Sequence, residues 1–169
     1  MRLDGELKYY GCTIAVDTFK ERLVDLLIRD FPETTIDGLV CEPANSSEYC
    51  HIVRDDIECE LLPDKVILKA LMNIRRAKQC PVGLRRRVTR NRLVDELQRL
   101  GTKIEPLAFR DAVLDSHASM YKDITIDEIL CSPKEAASLC VFVRRKCRDS
   151  KLPDELILRT LQNSRKSLV

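Results

Sequence analysis

ITIDEILCSPKEAASLCVFVRRKCRDSKLPDELILRTLQNSRK, residues 124–166, restates a stretch that lies 90 positions earlier: TTIDGLVCEPANSSEYCHIVRDDIECELLPDKVILKALMNIRR, residues 34–76. The two align without a gap, and 16 of the 42 positions from Thr35 to Arg76 are identical, far above what unrelated helical sequences share. The match extends backwards. Arg2-Leu3, Glu6-Leu7, Gly11, Ile14, Phe19 and Asp25 recur as Arg92-Leu93, Glu96-Leu97, Gly101, Ile104, Phe109 and Asp115. The chain therefore reads as a tandem duplication, with a first repeat over 1–76, a basic connector over 77–91 and a second repeat over 92–169. Two such repeats imitate a homodimer, so the expected arrangement is two similar units packed about a pseudo-two-fold axis.

Periodicity makes each repeat helical. The first segment should stop at Gly11 or Gly101, because glycine after an apolar-periodic run is the usual C-terminal signal. Phe19, Leu23, Leu26, Leu27 and Phe31 share one face of a second helix over about 17–30. Its counterpart, expected over 109–122, is more polar there, with Ser116 and His117 in place of Leu26 and Leu27. Thr125 to Glu128 fits a capping box on a short turn of helix, which Pro133 keeps from running into the next one. A third helix opens at Pro43 or Pro133, with Ser132 as a cap. Its stripe is Ala136, Leu139, Cys140, Val143 and Cys147, matched by Ser46, Tyr49, Cys50, Val53 and Ile57.

Pro63-Asp64 and Pro153-Asp154 open a fourth helix, the proline in its first turn and the carboxylate facing the positive end of the dipole. Ile67, Leu68, Leu71 and Ile74 form the buried stripe, with Ile157, Leu158 and Leu161 opposite them in the alignment. Leu84, Val88, Leu93, Leu97 and Leu100 suit an early start for the second repeat's first helix, near Leu84. No stretch alternates with period two, so the fold class is all-α, a tandem four-helix unit.

Charged residues make up 33% of the chain and apolar ones 44%, the balance of a soluble globular protein. The start has no apolar run of signal-peptide length, and no stretch approaches the ~18 apolar residues of a membrane span. The expected location is the cytoplasm, away from membranes, where eight cysteines read as reduced thiols rather than a disulfide framework. Charge is uneven. From Met72 to Arg92 there are 8 basic residues and no acidic one, leaving 21 basic and 27 acidic residues elsewhere.

Candidate chemistry is sparse. Cys41 and Cys50 recur as Cys131 and Cys140, but zinc ligands usually come in closer pairs. A helix between them would separate each pair by roughly 10 Å, so core packing is expected, and no cofactor. His51 and His117 do not recur. Among the recurring carboxylates, Asp64/Asp154 and Asp37/Asp127 sit at helix starts, and Glu6/Glu96 lie four residues from Arg2/Arg92, at ion-pair spacing. Asp25/Asp115 have no evident role. With no glycine-rich phosphate loop, an enzyme is not expected.

Polar residues that recur without such an explanation are Arg54/Arg144 and Asn73-x-Arg75/Asn163-x-Arg165. They suggest a non-enzymatic adaptor or regulatory module that binds a protein partner. The alternative is nucleic-acid binding through Arg75, Arg76, Lys78, Arg85, Arg86, Arg87, Arg90 and Arg92, which would weaken steeply between about 50 and 200 mM salt. A third reading is a metal or thiol-redox protein built on Cys41, Cys50, Cys131 and Cys140. The oligomeric state stays open.

Overall fold

Ten α-helices, and no strand, occur among residues 2–77 and 92–164, which the computed structural model describes. They are α1 (Leu3–Tyr9), α2 (Val16–Asp30), α3 (Ile36–Val40), α4 (Pro43–Asp56), α5 (Asp64–Arg76), α6 (Leu93–Arg99), α7 (Pro106–Met120), α8 (Ile126–Leu130), α9 (Pro133–Cys147) and α10 (Asp154–Ser164). Every helix from α6 to α10 starts 90 positions after its counterpart from α1 to α5. The described residues form two compact units, 2–77 with 131–133, and 92–130 with 134–164. None of the helices is long and apolar enough to cross a membrane.

In the first unit α5 is the central element, in contact with α1, α2, α3 and α4, while α4 also packs on α2 and α3. Phe19, Leu23, Leu26 and Leu27 of α2 are buried, as periodicity requires. Tyr49 of α4 is buried among them and donates its hydroxyl to the Leu23 carbonyl at 2.7 Å, which satisfies the one polar atom of the largest core side chain. Burial pushes its phenol well above the usual tyrosine range. The buried face of α5 is wider than the sequence stripe, because Val66, Ala70 and Met72 join Ile67, Leu68, Leu71 and Ile74.

In the second unit α10 packs on α7 and α8, and α7 also meets α6. Buried hydroxyls here are satisfied within their own helices. Thr160 and Ser164 donate to the Leu156 and Thr160 carbonyls at 2.7 and 2.8 Å, and Ser116 donates to the Ala112 carbonyl. This is how α7 tolerates a serine where α2 has Leu26.

Several local expectations change. α7 begins at Pro106 rather than near Phe109, with the proline in the first turn. Pro63 is the residue before α5 rather than part of its first turn. α6 does not start near Leu84, since Arg92 is extended and precedes the first helical residue, Leu93. Glu96 is not paired with Arg92; it meets Arg159 of α10, which also reaches Glu155 at 3.5 Å. The capping box at α8 is reciprocal, Thr125 N–H donating to Glu128 Oε2 and Glu128 N–H to Thr125 Oγ1, at 3.1 and 3.3 Å. Gly38 occupies the aligned place in α3, so only the Thr35 half of the box survives there.

Four helices end alike. After α1 the Gly11 N–H bonds the Lys8 carbonyl and the Cys12 N–H bonds the Leu7 carbonyl, with Gly11 at φ 77°. This is a Schellman motif, and Gly101 repeats it after α6. After α4 and α9 the same bonds form around Glu58 and Arg148, whose φ values are 53° and 54°. A residue with a Cβ is strained there by about 1–2 kcal/mol, whereas glycine is not. Glu58→Gly and Arg148→Gly should therefore each stabilise the protein by about 1 kcal/mol, seen as a higher urea midpoint. An unchanged or lower midpoint would rule out strain at these caps.

Candidate protein-docking surfaces

Most of the recurring polar side chains are engaged within their own unit. Arg54, on the last turn of α4, donates to the Leu62 carbonyl at 3.0 Å and to Asp64 Oδ1 at 2.6 Å. Its counterpart Arg144 donates to the Leu152 carbonyl at 2.7 Å and to Asp154. The guanidinium thus clamps the turn between one helix and the start of the next, twice over. Arg75 pairs with Asp37 at the start of α3. Asp115, unexplained in the sequence, meets Lys146 at 3.3 Å on the surface.

Asn73 and Asn163 behave differently. Both project from the exposed side of their helices, α5 and α10, next to buried neighbours. Neither amide has a hydrogen-bond partner among the described residues. Arg165 and, in the basic segment, Lys78, Arg85, Arg86, Arg87 and Arg90 lie outside the described residues. Arg76 and Arg92, at the two edges of that segment, are exposed.

Among the described cysteines, Cys147 is free and half-buried, and the others divide into two chemical classes. Cys41, Cys50, Cys131 and Cys140 are buried free thiols. Burial pushes the Cys50 thiol far up, with Asp64 adding to the effect, so it is protonated and non-nucleophilic at neutral pH. No group of three or more His, Cys, Asp or Glu side chains among the described residues is placed to hold a metal. His117 faces the Ile124 carbonyl at 3.0 Å.

Cys12 and Cys59, in contrast, form a disulfide, which corrects the expectation that all the cysteines are reduced. The geometry explains the pairing. Each cysteine is the residue just beyond the left-handed position of a Schellman motif, Cys12 after α1 and Cys59 after α4. The two helix ends converge, leaving the Cα atoms 5.7 Å apart. Sequence held one clue: the aligned positions are Thr102 and Asp149, so both cysteines belong to the first unit alone.

Beside the disulfide lies a concavity of about 520 Å³, lined by Tyr10, Asp55, Glu58, Cys59, Glu60 and Leu61 among others. Leu61 is 77% exposed at its rim and Tyr9, stacked edge-on against Tyr10 at 5.0 Å, is 73% exposed. Periodicity did not single out these side chains because they lie on turns and helix ends. Comparison with protein-family models, curated proteins and solved structures found no match.

Proposed function

We propose that the chain is a non-enzymatic interaction module, adaptor or regulatory, made by tandem duplication and presenting one docking spot per unit to a protein partner. The observation that carries this reading is the pair Asn73 and Asn163. They are the same residue at the same point of two aligned helices, exposed and without a partner among the described residues. Asparagine is a mediocre helix former, and neither amide contributes a hydrogen bond to its own unit. Arg54, Arg144 and Arg75 support the docking spots indirectly, by fixing the helices that carry them. If the units are related by a pseudo-two-fold axis, a two-fold partner engages both and gains avidity over a single contact. A cytoplasmic location belongs to the same proposal.

The test is affinity capture with the full chain, in about 150–300 mM salt, where an electrostatic contact would be screened. Wild-type protein should retain a stoichiometric partner, and Asn73→Ala/Asn163→Ala should lose it with its urea midpoint unchanged. Retention of the same partner by the double variant would exclude these asparagines as the docking spots. A second reading, nucleic-acid binding, is supported by the sequence alone, through the 8 basic residues between Met72 and Arg92. Steeply salt-dependent binding to duplex DNA or single-stranded RNA would put it first.

A further inference from the structure

Residues 55–61 and 145–151, the ends of α4 and α9 with the turns that follow them, hold the same place in the two units and carry opposite charge. In the first unit Asp55, Glu58 and Glu60 are exposed, and no ion pair engages them among the described residues. Asp56 beside them is only 3.8 Å from Arg22. In the second unit the positions of Asp55, Glu58 and Leu61 are taken by Arg145, Arg148 and Lys151, all exposed and without an ion-pair partner among the described residues. Neither pattern is needed for folding, since the aligned backbone closes the same way over both sets of side chains.

Two further observations sharpen the acidic side. The ends of α4 and α1 meet at the concavity, which Tyr10, Gly11 and Glu58 line together with Arg54, whose charge is committed to Asp64. Helix C-termini carry partial negative charge, so both add to the pull of the carboxylates on a cation. Leu61, at the rim, offers apolar surface against which the aliphatic stem of an arginine or lysine packs well. That combination fits the long basic side chains the other turn displays.

We propose that the chain associates with itself head to tail, the acidic turn of one copy docking on the basic turn of a second. Like turns repel, which disfavours the alternative in which two acidic or two basic ends meet. Such a contact is heterologous. Each copy keeps one free turn of either sign, so association continues into a chain or closes into a ring. This surface is distinct from the Asn73/Asn163 faces, and its failure would leave the partner-binding reading standing.

Sedimentation velocity of the oxidised full-length protein tests it. The wild type should associate with concentration at about 50 mM salt, and its dissociation constant should rise about tenfold or more by 300 mM. Asp55→Lys/Glu58→Lys/Glu60→Lys and Arg145→Glu/Arg148→Glu/Lys151→Glu should each be monomeric alone, with unchanged helical circular dichroism. Mixed in equal amounts they should associate, because one variant has two basic turns and the other two acidic ones. A wild type that stays monomeric at low salt would leave the turns to a foreign partner and overturn the proposal. So would a mixture that fails to associate, or single variants that assemble as the wild type does.

Discussion

Reducing the Cys12–Cys59 disulfide, or replacing it by Cys12→Ser/Cys59→Ser, should cost about 4 kcal/mol of stability, the loop-closure value for the 47-residue separation. The loss falls on a specific place. α1 is only seven residues long and buries a single fully enclosed side chain, Leu7, so its hold on α2 and α5 leans on the cross-link. Urea unfolding with and without reductant measures the size of the effect, and amide exchange locates it. α1 and the end of α4 should exchange faster after reduction, while α6 to α10, which lack the bridge, should change least. Identical urea midpoints in both conditions would show that the bond contributes nothing to the folded state. In a cytoplasmic setting the bond would be exposed to reductant, and the first unit would be correspondingly weaker there.

Arg54→Ala should be the most damaging change at an ion-pairing residue, at about 2–3 kcal/mol. The side chain of Arg54 is 14% exposed, and its removal leaves the Leu62 carbonyl and Asp64 without their donor. Arg144→Ala acts on the same clamp in a wetter setting, with the arginine 25% and Asp154 34% exposed, so about 1–2 kcal/mol is expected. Arg54→Lys should recover part of the loss, because an ammonium supplies charge without the guanidinium's fork of donors. Urea denaturation of the three variants provides the comparison. Equal effects of Arg54→Ala and Arg144→Ala, both below ~0.5 kcal/mol, would reduce the clamps to surface ion pairs of little weight.

The Arg54 clamp shows how far a sequence reading reaches. Recurrence marked Arg54 and Arg144 as special, and Asp64 and Asp154 were assigned to helix starts. Yet the aligned pairs are ten residues apart, and nothing in the spacing says they meet. The turn between α4 and α5 has to fold back before guanidinium and carboxylate come within reach. Glu96 makes the same point in reverse: a local i, i+4 partner was available, and Arg159, 63 positions away, is the one it meets. The docking candidates split along the same line. Recurrence alone grouped the arginines with Asn73 and Asn163, and only solvent exposure and hydrogen-bond partners separate them.

What the amino-acid sequence determined by itself was everything carried by local periodicity and punctuation. The all-helical class, the start of α4 and α9 at a proline, the stops at Gly11 and Gly101, and the capping box at Thr125 all depend on residues within one or two turns of each other. Tertiary structure alone decided which distant groups become neighbours. It paired Cys12 with Cys59, buried Val66, Ala70 and Met72 beyond the apparent stripe of α5, and put Glu58 and Arg148 into left-handed caps that glycine would suit better. The physical reason is range. Backbone preference and side-chain spacing act over a few residues, whereas burial and bond formation depend on how whole helices pack.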